Sequence, residues 1–415
     1  MSQSRQVATQ VLYQVVVKHQ HLKQALHNNI GTGISDQDQA WIQHACYVSL
    51  RHHFSLQNRW QKFTDKPLKD KWVSELLTLS LCQKFHMSTP DHAIVDEAIR
   101  AAKKVKKNWA SGLINKVLRL AMKDVDYKID SEVIEFDHPQ WWIDLLKKDW
   151  PEHYLKILQA NNQKPPLWIR TVHESQIMPG QQHPNIKTAW LLDDNKASQS
   201  DELMNGQFSV QDAAAQLAAK ILNPQAGEYI LDACAAPGGK SCHLLEQESK
   251  IQLDILEKEP SRLKRVEDNL SRLNLSANRI ILGDATKPED WFEEKEYDKI
   301  LLDVPCSAAG VVRRNPDIKL LRQAEHLIHL TQLQQQIINR ISPLLKVGGQ
   351  LLYATCSVFR SENERQIKKF LKANPNFSEI ELHDDFAEQC AYGIQIITGT
   401  EQMDGFYYCL LQRTS

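Results

Sequence analysis

At 415 residues the chain is too long for one compact core, and with domains of roughly 100–200 residues two or three units are expected. Its composition, 42% hydrophobic and 24% charged, reads as globular. No apolar run approaches the roughly 20 residues of a bilayer crossing, and Met1-Ser2-Gln3-Ser4-Arg5 lacks a signal-peptide pattern, so membrane-spanning and secreted classes are set aside and the cytoplasm is expected. The net charge of -1 conceals a basic front end: residues 1–130 carry 19 Lys and Arg against 11 Asp and Glu, which suggests a polyanionic partner.

In chain order, residues 5 to about 130 read as an all-helical bundle. Val7, Val11, Leu12, Val15 and Val16 form one apolar face, and Leu76, Leu77, Leu79, Leu81 and Cys82 another. From Ala93 to Arg119 an acidic helix, Ile94-Val95-Asp96-Glu97-Ala98-Ile99, leads through Lys103, Lys104, Lys106 and Lys107 into Ser111-Gly112-Leu113-Ile114-Asn115-Lys116-Val117-Leu118. That order resembles the RNA-binding antitermination factor NusB and its relatives, and makes the four lysines candidate RNA contacts.

Between about 135 and 215 lie Trp141, Trp142 and Trp150, a helix to about residue 160, and then Pro165-Pro166, which stops the helix and launches an extended segment. A connector with a small α/β subdomain is expected there. Beyond residue 216, strand patterns at 229–233, 251–256, 279–282, 299–304, 350–354 and 406–411 alternate with helical patterns near 239–247, 261–273, 327–345 and 361–373. Such alternation predicts a doubly wound, mostly parallel sheet.

The chemistry sits at the strand ends. Leu231-Asp232-Ala233-Cys234-Ala235-Ala236-Pro237-Gly238-Gly239-Lys240 leaves a strand and opens a helix, so its small residues admit a ligand close to the backbone. It lacks the Gly-x-Gly-x-x-Gly of dinucleotide sites, and suits S-adenosylmethionine, which has no phosphate. Glu257 ends the next strand, where a carboxylate can accept both ribose hydroxyls, and Asp284 closes the third, where an acceptor meets the adenine amine.

Asp303-Val304-Pro305-Cys306 ends the fourth strand and Ala354-Thr355-Cys356-Ser357 the fifth. Singly, a strand-end cysteine is ordinary packing. Two beside one cofactor cleft suggest a thiolate nucleophile, because carbon 5 of a pyrimidine is unreactive until something adds at carbon 6. The eight cysteines include no Cys-x-x-Cys pair and no His partners at ligand spacing, so neither a metal site nor a disulfide framework is expected.

Ala-Cys-Ala-Ala-Pro-Gly-Gly-Lys, Asp-Val-Pro-Cys-Ser and Ala-Thr-Cys-Ser together resemble the RsmB/NOP family of RNA cytosine-5 methyltransferases, and the front end narrows this to the branch acting on small-subunit ribosomal RNA. The resemblance implies a multidomain chain: an all-α NusB-like N-terminal bundle over 1–135, a small α/β connector over 136–215, and a C-terminal α/β Rossmann-like class I methyltransferase with a mostly parallel sheet over 216–415. It implies S-adenosylmethionine as cofactor, held by Cys234, Ala235, Ala236, Pro237, Gly238, Gly239, Lys240, Glu257, Asp284 and Asp303. By the same resemblance Cys356 is the nucleophile, Cys306 the second cysteine that serves elimination, and Asp303 the partner of the base edge.

Glu257 stands where relatives often have Asp, and Ala309 and Val312 are further small departures. Arg313, Arg314 and Asn315 follow the Pro-Cys loop as candidate contacts to RNA phosphate or sugar. The expected partner is small-subunit ribosomal RNA, with no membrane, and the chain is expected to be a monomer. Three rivals stay open from the residues alone. They are a tRNA-directed cytosine-5 enzyme, a ribose 2′-O-methyltransferase needing no cysteine, and a non-catalytic RNA-binding factor.

Overall fold

The computed structural model describes residues 2–31, 33–193 and 201–415; positions 194–200 of the expected connector lie outside the described residues. The chain forms two compact units: one runs through Lys164 and takes in Val312–Gln323, and the other comprises Pro165–Val311 and Ala324–Ser415. No helix among the described residues is long and apolar enough to cross a membrane.

The first unit is helical, with α1 Ser2–Lys18, α2 Leu22–Asn29, α3 Asp36–Arg51, α4 His53–Gln61, α5 Lys71–His86, α6 Asp91–Lys104, α7 Ser111–Lys123, α8 Glu132–Phe136, α9 Gln140–Asp149 and α10 Tyr154–Asn161. Starts are set by caps: Ser35 Oγ accepts from Asp38 N at 3.2 Å, and Asp70 Oδ1 from Val73 N at 3.2 Å. Every residue of α5 from Trp72 to Gln83 is buried, as expected of a helix surrounded by others. Val11, Leu12 and Val15 of α1 are fully buried.

The excursion Val312–Gln323 is part of this unit, although both flanks belong to the other. Asp317 Oδ2 accepts from Leu22 N at 3.1 Å, and Arg51 Nη2 donates to Arg313 O at 2.9 Å. Lys319, 1% exposed, donates to Arg51 O at 2.6 Å and Asn162 Oδ1 at 2.8 Å. Burial pulls its ammonium down to about 7. The expectation for Arg313 is corrected here: at 2% exposure it is buried, not a solvent-facing loop cation. Arg314 is half-buried.

The second unit opens with a small antiparallel sheet, β1 Leu167–Thr171, β2 Gln181–Gln182, β3 Ala189–Leu192 and, after α11 Asp201–Met204, β4 Phe208–Val210, in the order β2-β3-β1-β4. It closes over Leu167, Ile169, Trp190, Leu192 and Phe208. Next come α12 Ala213–Leu222, β5 Tyr229–Ala233, α13 Gly239–Gln247, β6 Gln252–Glu257, α14 Pro260–Arg272, β7 Arg279–Leu282 and β8 Tyr297–Asp303. After α15 Ile318–Leu321, within the excursion, the chain returns through α16 Ala324–Ile341, β9 Leu345–Thr355, α17 Glu364–Ala373, β10 Phe377–Ile380, β11 Glu388–Gln389, β12 Ile394–Ile396 and β13 Phe406–Arg413.

Strands β7-β6-β5-β8-β9 pair in parallel, and β13 adds antiparallel to β9. β10 and β12 share the far edge of β13. The order reverses between β5 and β8, so the crevice at the carboxyl ends of these strands is the switch point where doubly wound sheets bind ligands. The helical pattern expected to reach 345 ends at Ile341, because Pro343 cannot continue it. β9 therefore starts five residues before the expected strand.

Candidate active site

Five parallel strands deliver Ala233, Glu257, Leu282, Asp303 and Thr355 to one edge. After β5 the chain turns sharply, with Cys234 at φ 64° and Gly238 at φ 93°. A Cβ on Gly238 would lie 3.2 Å from Val266 Cα, so α14 packs there against bare backbone. The turn is tied on both sides: Ala236 N donates to Glu257 Oε2 at 3.2 Å, Arg262 Nη2 to Ala236 O at 3.1 Å, and Asn269 Nδ2 to Pro237 O at 2.9 Å.

A cavity of about 210 Å³ opens beside this turn, lined by Cys234, Glu257, Arg262, Asp284, Pro305 and Ile337, among others. Glu257 is held by the backbone N–H groups of Lys258 at 3.0 Å and Glu259 at 3.1 Å on Oε1. Asp284 Oδ1 accepts from Thr286 N at 2.9 Å and Thr286 Oγ1 at 2.8 Å, and Oδ2 meets Lys258 Nζ at 2.9 Å. Partial burial opposes its ionisation, but the bonds from Thr286 and Lys258 outweigh that and hold the carboxyl down to about 2. Beneath the turn Asp232 is fully buried, bonded through Oδ2 to Ser241 Oγ at 2.5 Å, and burial pushes it up to about 7.

On the other side of the switch point Asp303 Oδ2 pairs with Lys240 Nζ at 2.6 Å. Burial works against the Lys240 charge, yet Asp303 wins and the ammonium is held above its ordinary range. Cys306 and Cys356 follow β8 and β9, and their sulfurs lie 3.4 Å apart. The Cys306 thiol is held up, first by its bond to Cys356 and then by burial. Gly310 N donates to Cys356 O at 2.9 Å, and a Cβ on Gly310 would collide with Gly405 O at 1.9 Å, so only glycine lets these loops close behind the cysteine.

Cys234, Ala235, Ala236, Pro237, Gly238, Gly239, Lys240, Glu257, Asp284, Asp303, Cys306 and Cys356 thus gather along one sheet edge, whereas Lys103, Lys104, Lys106 and Lys107 belong to the helical unit. Lys103, Lys104 and Lys106 are exposed; Lys107 is ion-paired with Asp70. Trp109, 62% exposed beside them, escaped the sequence reading, though a Trp two residues after a lysine run is a visible signal. None of the eight cysteines is in a disulfide; four are buried, while Cys234, Cys306 and Cys356 at the crevice, and Cys390, are half-buried.

The family model described as 16S rRNA methyltransferase RsmB/F matches residues 219–412. The NusB family matches 2–123, and a ferredoxin-like domain of RsmF/B-like methyltransferases matches 138–177. Proteins named ribosomal RNA small subunit methyltransferase B from Vibrio vulnificus and Vibrio cholerae are each 39% identical to this chain, covering 98% and 99% of it and 98% and 97% of their own lengths. The chain belongs to the RsmB/F family of rRNA methyltransferases.

The crystal structure of PH0851 shares the fold across 99% of both chains, with TM-score 0.82 at 20% identity. The structure of NSun6 from Pyrococcus horikoshii, solved with SFG, shares it over 67% of this chain and 98% of its own, at 0.60 and 18%. The helical unit is therefore NusB-like, the small sheet ferredoxin-like and the large sheet that of a Rossmann-like methyltransferase.

Members of the RsmB/F family use S-adenosylmethionine as methyl donor, and the crevice fits it. Glu257 Oε2 carries one protein bond and keeps a lone pair for a hydroxyl. Asp284 is ionised at neutral pH and offers an acceptor to an amine, and both acids line the cavity together with Cys234 of the turn. Asp232 Oδ1, buried without a protein partner, marks polar capacity still open beneath the turn.

Proposed function

We propose that this protein methylates carbon 5 of one cytosine in small-subunit ribosomal RNA through a covalent bond from Cys356. The observation that carries the reading is the sulfur pair, 3.4 Å apart at the ends of adjacent strands β8 and β9, beside the cofactor crevice. Carbons 5 and 6 of a pyrimidine are bonded neighbours. A base attached at carbon 6 to one sulfur therefore presents its carbon 5 proton to the other.

The target cytosine leaves its stack to reach the crevice, which costs a few kcal/mol, ~2–4, and less in a loop than in a duplex. The Cys356 thiolate adds to carbon 6, and the ring's π electrons move toward carbon 5. Asp303, held in place by Lys240, accepts a hydrogen bond from the ring's amino edge. S-adenosylmethionine, when bound, supplies an electrophilic methyl group. Cys306 then removes the carbon 5 proton, directly or through water; the electrons of that C–H bond restore the ring double bond and expel Cys356 as thiolate.

The exposed lysines Lys103, Lys104 and Lys106 with Trp109, and the outward residues Lys116 and Arg119 of α7, support a role of the NusB-like unit in RNA binding. Cations neutralise phosphate and release counterions, while an exposed indole stacks on an unpaired base. Reversing Lys103, Lys104 and Lys106 to Glu should weaken affinity for small-subunit RNA and flatten its salt dependence by about 0.7–0.9 per lost phosphate contact. Filter binding across a salt series checks this, and an unchanged slope removes these lysines from the interface.

Bisulfite sequencing of RNA from cells lacking the protein tests substrate and atom together. The reading expects one small-subunit rRNA cytosine to lose protection and to regain it on complementation. Loss confined to transfer RNA would redirect the same chemistry to another substrate.

A further inference from the structure

Each cysteine of the pair is followed by a serine, and one buried carboxylate holds both serines. Glu362, fully buried in the segment between β9 and α17, accepts from Ser307 N at 2.8 Å, Ser307 Oγ at 2.5 Å and Ser357 Oγ at 2.6 Å. Its fourth donor is Gln334 Nε2 of α16 at 3.1 Å, an amide that also donates to Pro305 O at 2.9 Å. Each serine hydroxyl accepts from its own loop, Ser307 Oγ from Ala309 N at 3.3 Å and Ser357 Oγ from Phe359 N at 3.1 Å. The backbone of Glu362 is fixed in turn to the strand carrying Cys356, since Tyr353 OH donates to Glu362 O at 2.8 Å.

We propose that Glu362 is a positioning residue of the cysteine pair: by clamping Ser307 and Ser357 to one carboxylate it sets the spacing at which Cys306 reaches the carbon 5 proton of a base bound to Cys356. The inference rests on the two-cysteine reading above. A carboxylate removed from water and surrounded by neutral donors is costly unless all its acceptor positions are filled. Here four donors fill them, so the clamp has one geometry. A loop tied only by apolar contacts would tolerate slippage, and a misplacement of about 1 Å can cost a reaction about 100-fold. Two of the four bonds go to Ser307, so loss of the carboxylate frees the Cys306 loop first. The Glu362 charge also lies close enough to add to the elevation of the Cys306 thiol, behind the bond to Cys356 and burial.

The test compares full-length E362Q, S307A, C306S and wild type, each incubated with small-subunit RNA and S-adenosylmethionine and resolved on denaturing gels. Glu362→Gln keeps the shape but turns one acceptor into a donor facing the serine hydroxyls. The expectation is a fall in kcat of about 10- to 100-fold, with KM for RNA and cofactor within about twofold, and a covalent RNA adduct that persists as it does in C306S. Persistence of adduct is a signature that loosened packing alone does not produce, because an unfolded site forms none.

A folded E362Q protein with the wild-type adduct level overturns the proposal, whether its turnover is normal or lost. If E362Q fails to fold, Ser307→Ala removes the side-chain tether to the Cys306 loop and carries the same expectation of persistent adduct, with the same result overturning it. Absence of adduct in C306S would instead sink the two-cysteine reading on which the inference stands.

Discussion

Cys356→Ala is expected to abolish methyl transfer, by on the order of 10⁴-fold or more, the scale on which covalent mechanisms fail when their nucleophile is removed. Carbon 5 of cytosine carries no free lone pair, so without addition at carbon 6 nothing attacks the methyl group. The change is small for the fold: Cys356 is half-buried, and its side chain packs at the margin of the core. Removing one sulfur there should cost about 1 kcal/mol of stability or less. Tritium transfer from methyl-labelled donor to RNA gives the rate, and filter binding shows that RNA affinity survives. Residual transfer within about tenfold of wild type is incompatible with a covalent route through this residue.

Cys306→Ser should give the opposite phenotype, in which RNA is captured and not released. Addition and methylation proceed because Cys356 is intact, but a serine hydroxyl is too weakly acidic to serve as the base that removes the carbon 5 proton. Turnover stops after about one equivalent, and the protein migrates with its RNA under denaturing conditions. A pH dependence accompanies it in the wild type. In the adduct the Cys356 sulfur is bonded to carbon 6 and its hydrogen bond no longer raises the Cys306 thiol, but burial still holds it above its ordinary range, so at neutral pH only a minor fraction is thiolate. That fraction, and with it the rate of release, should grow about tenfold per pH unit until the group titrates. Transient wild-type adduct should accordingly be longest-lived at low pH. Rapid-quench gels across pH 6–9 measure it, and a release rate that falls as pH rises would assign elimination to a different group.

The parallel sheet was legible because Tyr229–Ala233 and Lys299–Asp303 are buried nearly throughout and centre on the apolar runs Tyr229-Ile230-Leu231 and Ile300-Leu301-Leu302. The first half of β9 was not, because only Val347 and Gly348 are open to solvent, Lys346 is half-buried, Gly349 is buried and the stretch lacks alternation, while Ile337, Ile338, Ile341 and Leu344 continue a helical spacing into the turn at Pro343. Strands of two residues such as β2 and β11 carry no period to detect.

At the site, the glycine turn and the strand-end acids and cysteines stood out because each combines an unusual residue type with the end of an apolar run. Arg313 was misread for a reason no local pattern reveals: Val312–Gln323 is built into the helical unit, so a loop arginine that looks solvent-facing is buried there. The Lys240–Asp303 pair joins residues 63 apart and Glu362 lies in an unpatterned segment. The twice-repeated Cys-Ser dipeptide was the one local hint that a common partner holds both loops.

Peptide mapping of a trapped complex bears most directly on the central claim. Small-subunit RNA carrying 5-fluorocytosine at the target position, incubated with wild-type protein and S-adenosylmethionine, cannot lose a carbon 5 proton and should remain attached after methyl transfer. Mass spectrometry after digestion should find the methylated nucleotide on the peptide containing Cys356, with Cys306 unmodified. The nucleotide on Cys306, or methylated RNA formed with no attached species under these conditions, would contradict it.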